Sequence, residues 1–145
     1  MIGLLQRVTE AHVTVEGRET GRIGPGLLVL VGVQRQDSAV QAERLLERIL
    51  TYRVWPDAAG KMNRSLRDTG HGLLLVPQFT LAADTNSGTR ASFTAAAEPG
   101  LARALFAHLL DRARQSHQPV ASGQFGAEMQ VGLVNDGPVT FWLTA

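Results

Sequence analysis

The chain has 145 residues, of which 44% are hydrophobic and 19% charged, and its formal net charge is +1. This is ordinary globular composition, and the nearly neutral charge excludes a strongly basic, non-specific nucleic-acid binder. Cysteine is absent, which excludes thiolate chemistry, and the four histidines lack the paired spacing of a zinc site. With no membrane-length apolar run and no leader pattern, we expect one cytoplasmic domain over residues 1–145, without metal, cofactor, membrane or DNA partner.

Strand patterns dominate the first part of the chain. Residues 2–8 are predicted to form a first strand, and apolar residues alternate over residues 11–16. Residues 16–19 are typical of a hairpin turn that leads to a strand at residues 21–23. The uninterrupted apolar run at residues 27–33 then predicts a strand that is covered on both faces.

Two helices are predicted from capping signals and leucine spacing. Ser38, with Gln41 three residues later, forms the capping-box pattern of a helix start. The first helix then carries an apolar stripe at helical spacing, made of Leu45, Leu46, Ile49 and Leu50. A second helix is expected to begin near Pro99, because proline is favoured in a first turn. Its inner face is expected to carry Leu101, Leu105, Leu109 and Leu110.

The remaining segments are again β-rich. A buried strand is predicted at residues 73–76, ended by Pro77, and further strands at residues 120–121, 129–134 and 139–144. The pattern as a whole predicts an α+β fold. We expect a compact, β-rich single domain whose mixed or antiparallel sheets form a barrel-like core covered by two helices.

Three polar segments at strand ends carry the functional signal. They are Gln78-Phe79-Thr80-Leu81, Gly123-Gln124-Phe125-Gly126-Ala127-Glu128-Met129 and Asn135-Asp136-Gly137-Pro138-Val139-Thr140. Taken alone, the last segment is a turn between two strands, because proline does not belong inside a central strand. In this order and spacing, however, the segments resemble the D-aminoacyl-tRNA deacylase family, and the resemblance runs from Arg7 to the last strand.

The resemblance implies an activity and an assembly. Members of the family are homodimers that hydrolyse the ester joining a D-amino acid to the 3′-terminal adenosine of tRNA, and they also remove glycine mischarged on tRNA(Ala). The family's Gly-Pro peptide bond is cis and enters the active site of the other subunit. By this resemblance, Gly137 and Pro138 serve the partner's pocket, and Arg7 helps to hold their loop.

The resemblance also implies the residues of the local pocket. Gln78, Phe79 and Thr80 are expected to line it as the catalytic set, while Phe125 and Met129 are expected to flank the adenosine. The residues alone leave other roles open. Thr80 and Gln78 can each bond to the backbone at a strand end, and Phe125 and Met129 can equally be core residues.

Two chemical routes are compatible with this set. Thr80 can act as a nucleophile, but a threonine hydroxyl needs an adjacent base, and none is visible in the sequence. Alternatively, the ribose 2′-hydroxyl assists while the backbone N–H groups of Phe79 and Thr80 stabilise the oxyanion, and we favour this route. The serine common in the family before Gln78 is Pro77 here, so no mechanism in this chain uses that hydroxyl.

The resemblance also predicts how chirality is read. Rigid carbonyls at Gly137 and Pro138 would bond the α-ammonium group and exclude an L side chain, a steric rejection that glycine escapes. Two other functions stay open from sequence. One is a sister type of deacylase that removes L-alanine from tRNA(Thr), and the other is a non-catalytic module that binds tRNA ends.

Overall fold

Strands make up most of the structure, a computed structural model that describes residues 1–145. The eight strands are β1 (Ile2–Val15), β2 (Arg18–Ile23), β3 (Gly26–Gly32), β4 (Trp55–Pro56), β5 (Met62–Arg64), β6 (Gly72–Pro77), β7 (Val120–Ser122) and β8 (Gln130–Thr144). The helices are α1 (Ala39–Thr51), α2 (Leu66–Thr69) and α3 (Pro99–Ser116), with a short 3₁₀ helix at Phe79–Ala82. No helix combines the length and the apolar character needed to cross a bilayer.

Six of the strands form one mixed sheet that nearly closes on itself. Their order is β2-β1-β3-β6-β7, and β8 pairs with β1. The β3–β6 and β6–β7 pairs are parallel, and the other pairs are antiparallel. The two ends of this order approach so closely that a Cβ at Gly21 would lie 2.8 Å from the carbonyl oxygen of Ser122. The predicted barrel-like α+β fold is therefore confirmed.

Alternating side chains of β3 and β6 supply two separate apolar cores. Leu27 and Leu73 face a large cluster with the inner leucines of α1 and α3. Leu28 and Leu74 point the other way, into a smaller cluster with Val13 and other β1 residues. Both faces of these strands are buried, which explains why their sequences are continuous apolar runs rather than alternating patterns.

The helix predictions are confirmed in part. The capping box at Ser38 is present, with the Ser38 backbone N–H donating to the Gln41 side chain. In α3, Leu105 and Leu109 are buried as predicted, but Leu101 is 39% exposed, so its assignment to the inner face was wrong. The expectation of two helices was also wrong, because α2 is a third. It is too short to show helical periodicity in the sequence.

The strands differ from the predicted ones in several places: β2 begins at Arg18, inside the predicted turn, and β4 and β5 were not predicted. The predicted strands at residues 2–8 and 11–16 are one continuous strand, β1, and the last two predicted strands are joined in β8. The hairpin between β1 and β2 is confirmed, with Glu16 and Gly17 both at positive φ, as a two-residue hairpin turn requires.

Candidate functional site

The Gln78-Phe79-Thr80 segment begins where β6 leaves the sheet. The Gln78 backbone N–H still donates to the carbonyl of Val31, at 2.8 Å, and the chain then turns into the 3₁₀ helix. Phe79 and Thr80 occupy its first two positions, where N–H groups have no partner within a helix. The first amide bonded within the turn is that of Leu81, which donates to the carbonyl of Gln78. Two adjacent backbone donors are thus presented at the end of the strand.

An apolar pocket opens beside this segment. Its volume of about 510 Å³ is typical of small-molecule sites. Gln78, Phe79, Phe125 and Met129 all line it, so the fold brings together two segments that lie far apart in the sequence. The other lining residues are Val76, Pro77, Ala97, Pro99, Ala102, Gly126, Ala127 and Val131. None of the lining side chains is ionisable.

Close packing holds the two adenosine-flanking candidates in place. A Cβ at Gly123 would lie 2.8 Å from the Met129 sulfur, so this position leaves no room for a side chain. The half-buried ring of Phe125 packs against Phe106 at a centroid distance of 6.3 Å, and the Arg103 guanidinium lies 4.8 Å from the Phe125 centroid. Phe125 is therefore both a core contact and a wall of the pocket.

The side chains of the catalytic candidates do not form an acid–base group. Thr80 does not line the pocket, and its hydroxyl accepts a hydrogen bond from the Gln78 side-chain amide. Phe79 is 60% exposed and packs against Phe93, at a centroid distance of 5.2 Å. His71, the histidine nearest to Thr80 in sequence, instead packs edge-on against Trp55. The structure thus provides Thr80 with an amide neighbour and no base.

The Gly-Pro loop bulges from β8 opposite a single residue of β1. Gln6 pairs with Thr140 and Val8 pairs with Asn135, so residues 136–139 all stand opposite Arg7. The Gly137–Pro138 peptide bond is cis.

Arg7 and Asn135 fix this loop from opposite sides. Arg7 Nε donates to the carbonyl of Asp136 at 3.0 Å and pairs with its carboxylate at 3.2 Å, while Nη1 donates to the carbonyl of Val54. The Asn135 side chain accepts from the backbone N–H of Val139 at 2.7 Å and donates to the Thr140 hydroxyl. The sequence placed Asn135 in the Gly-Pro segment without giving it a role, although asparagine side chains in turns commonly bond to nearby backbone.

Gly137 and Pro138 do not line the apolar pocket of their own chain. Both are exposed and lie at the Arg7 side of the sheet. The site candidates therefore fall into two groups, one around the pocket and one around the loop. No group of three or more histidine, aspartate or glutamate side chains is arranged to hold a metal ion.

The barrel carries an apolar pocket and a backbone loop held by Arg7 and Asn135, and comparison with known proteins identifies its class. The sequence model of the D-Tyr-tRNA(Tyr) deacylase family matches residues 4–144, so the chain belongs to this family of hydrolases. It is 69% identical to the D-aminoacyl-tRNA deacylase of Thioalkalivibrio sulfidiphilus (strain HL-EbGR7), over 99% of the chain and 96% of that protein. It is 66% identical to the D-aminoacyl-tRNA deacylase of Alkalilimnicola ehrlichii (strain ATCC BAA-1101 / DSM 17681 / MLHE-1), over 100% of the chain and 97% of that protein.

Solved structures share the fold. A structure described as c-Myc DNA Unwinding Element Binding Protein superimposes with a TM-score of 0.95 at 36% identity, covering 100% of this chain and 99% of that one. A probable eukaryotic D-amino acid tRNA deacylase superimposes with a TM-score of 0.82 at 19% identity, over 99% and 98% of the two chains. The second likeness concerns the fold alone.

Proposed function

We propose that this chain hydrolyses the ester bond of D-aminoacyl-tRNA and releases the free D-amino acid and tRNA. The observation that carries the proposal is the pocket itself, which is apolar, free of ionisable side chains and lined by Phe79, at the start of the 3₁₀ helix where the N–H groups of Phe79 and Thr80 have no helical partner. Such a pocket can hold a nucleoside and polarise an ester, but it supplies no general base. Family membership favours this hydrolase over a non-catalytic module that binds tRNA ends.

In the proposed mechanism the terminal adenosine lies between Phe125 and Met129. The ester carbonyl points at the N–H groups of Phe79 and Thr80, which stabilise the oxyanion as water adds to the carbonyl carbon. The bond between this carbon and the ribose 3′-oxygen then breaks, and the oxygen leaves with a proton. The neighbouring ribose 2′-hydroxyl orients the water and relays protons, the task that the pocket side chains cannot perform.

Chirality is read in the proposal by the loop of a second subunit. Gly137 and Pro138 of the partner subunit bond the α-ammonium group through their carbonyls and occupy the space of an L side chain. Two observations support a shared site: the loop is braced by Arg7 and Asn135, and it does not line its own chain's pocket. Glycine has no side chain to exclude, so glycyl-tRNA(Ala) is a second substrate.

The outer edge of β8 provides a surface for this homodimer. Trp142 is 53% exposed and Val134 is 50% exposed, and β8 pairs only with β1, which leaves its other edge without a strand partner. A long unpaired edge with apolar side chains is a template for association with another chain. The Gly-Pro loop lies within the same strand, so pairing there would carry it towards the second subunit.

The test of the proposed function is hydrolysis of matched aminoacyl-tRNAs. We expect rapid release from D-tyrosyl-tRNA and glycyl-tRNA(Ala), and none from L-tyrosyl-tRNA. Hydrolysis of L-alanyl-tRNA(Thr) in preference to the D-ester would instead identify the sister type of deacylase. Binding of the tRNAs without hydrolysis of any would reduce the chain to a tRNA-end binding module.

A further inference from the structure

Arg103 lies at the rim of the pocket and has no assigned role. It is an exposed residue in the first turns of α3, directly after Ala102, which lines the pocket. Its guanidinium stands over the Phe125 ring, and its Nη2 lies 3.3 Å from where a Cβ of Gly126 would be. Both Phe125 and Gly126 line the pocket. The contacts therefore anchor a cation at the edge of the nucleoside site.

The guanidinium keeps its hydrogen-bond donors free. Arg103 takes part in none of the ion pairs of the chain, in which the arginines are Arg7, Arg22, Arg67 and Arg112. Stacking on an aromatic ring fixes the plane of a guanidinium while leaving its N–H groups at the periphery. A planar fork held in this way matches the oxygens of a phosphate group.

The charges around the rim limit where a phosphate can go. A polar groove of about 1150 Å³ adjoins the pocket and shares Gly126 with it. Its lining carries the carboxylates of Glu16, Glu19 and Glu128 against the single guanidinium of Arg18. Glu19 is paired with Arg22 at 2.8 Å, so Glu16 and Glu128 leave the groove with an excess of one carboxylate over the Arg18 guanidinium. The groove therefore repels a phosphodiester, whereas the rim at Arg103 attracts one.

We propose that Arg103 binds the 5′-phosphate group of the terminal adenosine, the phosphodiester that joins it to the rest of the tRNA. This inference rests on the proposed function, because it takes the terminal adenosine as the occupant of the pocket. Arg103 is then a substrate-positioning residue. It ties the polynucleotide backbone to the Phe125 ring and so fixes the ester relative to the amides of Phe79 and Thr80.

The test compares adenosine with adenosine 5′-monophosphate as inhibitors of D-tyrosyl-tRNA hydrolysis. In the wild type we expect the nucleotide to inhibit about 10-fold more strongly than the nucleoside, equivalent to about 1.4 kcal/mol. Arg103→Gln should abolish this preference, and Arg103→Lys should retain part of it as a point charge. Arg114→Gln, which removes an exposed arginine from the last turn of the same helix, should leave the preference intact.

The outcomes separate the inference from the proposed function. If Arg103→Gln weakens both inhibitors by the same factor, the arginine only supports the Phe125 ring and the phosphate site is overturned. The phosphate site is also overturned if the wild type is inhibited equally by adenosine and adenosine 5′-monophosphate, or by neither. In each of these cases the wild type still hydrolyses D-tyrosyl-tRNA. Loss of that hydrolysis is the separate failure of the proposed function.

Discussion

Arg7 illustrates how one side chain can position a backbone loop. Its side chain is only 13% exposed, and it donates to two carbonyls, those of Asp136 and Val54. Removing it leaves partly buried acceptors without a donor, which costs about 1–3 kcal/mol for each buried group. The Gly-Pro loop then loses the contact that fixes its distance from the sheet.

We predict that Arg7→Ala lowers kcat/KM for D-tyrosyl-tRNA by about 100-fold, the scale expected for a misplacement of about 1 Å at a site. Arg7→Lys should fail to restore activity, because an ammonium group cannot reproduce the guanidinium fork. The matched control is Arg67→Ala, which removes an exposed arginine paired with Glu47. Steady-state kinetics of the three variants, with circular dichroism to verify folding, would check this. Wild-type kinetics in Arg7→Ala would show that the loop is held without Arg7.

Gly137 tests the backbone shape of the loop directly. Its φ of +136° lies in a region that L side chains rarely adopt, and an added Cβ would stand 2.7 Å from Val139 Cγ2 and 3.0 Å from the Val139 nitrogen. Gly137→Ala should therefore displace the loop and reduce the ratio of D- to L-tyrosyl-tRNA hydrolysis. Gly24→Ala is the control, because that glycine has open space around it and no positive φ. An unchanged D/L ratio in a folded Gly137→Ala protein would place chiral selection elsewhere.

At the scale of elements, the proposed mechanism depends on the backbone at the start of the 3₁₀ helix. If the amides of Phe79 and Thr80 polarise the ester, the Thr80 side chain is dispensable. We predict that Thr80→Ala retains activity to within about 10-fold, whereas a tRNA ending in 2′-deoxyadenosine is hydrolysed at least about 100-fold more slowly, the lower range for loss of acid–base assistance. The measurement is the single-turnover hydrolysis rate of the wild type and Thr80→Ala, each on the normal and the 2′-deoxy tRNA. Abolished turnover in Thr80→Ala, with the deoxy substrate cleaved normally, would favour the threonine nucleophile.

The short helix α2 gives a prediction about pH and stability. The Asp68 carboxylate accepts from the backbone N–H of Ser65 and from its hydroxyl, both at 2.7 Å, and these bonds hold the pKa of Asp68 below its ordinary value. A carboxyl group with a lowered folded-state pKa stabilises the fold above the unfolded pKa of about 3.9 and loses that contribution as the pH falls through the folded value.

Asp68→Asn should therefore melt at a lower temperature than the wild type at pH 7, and the difference should shrink as the pH falls below about 4. Thermal melts of both proteins across this range would measure it. Asp111→Asn, at an exposed aspartate of α3 with no ion pair, serves as the control. If the difference in melting temperature does not change with pH, the charge of Asp68 is not what stabilises the start of α2.

At the scale of the whole molecule, the proposed shared site combines the pocket of one chain with the Gly-Pro loop of another. The pocket and the Gly-Pro loop do not meet within one chain, so the proposed shared site requires a dimer. Specific activity should then fall on dilution below the dimer dissociation constant, as mass action requires. Sedimentation at the same protein concentrations would show whether the loss of activity coincides with dissociation into monomers. Constant activity in a sample that sediments as monomers would refute the shared site.

Much of the fold was predictable because it depends on local patterns. The continuous apolar runs of β3 and β6 indicated strands buried on both faces, and the capping box at Ser38 located the start of α1. Leu101 was assigned wrongly because helical spacing specifies a stripe but not its width, and the packing of α3 leaves this leucine at the edge. The helix α2 was missed because its four residues make barely one helical turn, so no apolar spacing can repeat along it.

The sequence alone determined the fold class and the family and supplied the candidate site segments, since each of these depends on local spacing and residue type. Only the tertiary structure decided which segments meet. It placed Phe125 and Met129 beside Gln78 and Phe79, set Arg7 and Asn135 around the loop, and put Arg103 over Phe125. These contacts join residues far apart in the chain. They follow from which strands pair and from how the barrel closes, and both depend on contacts between residues distant in sequence.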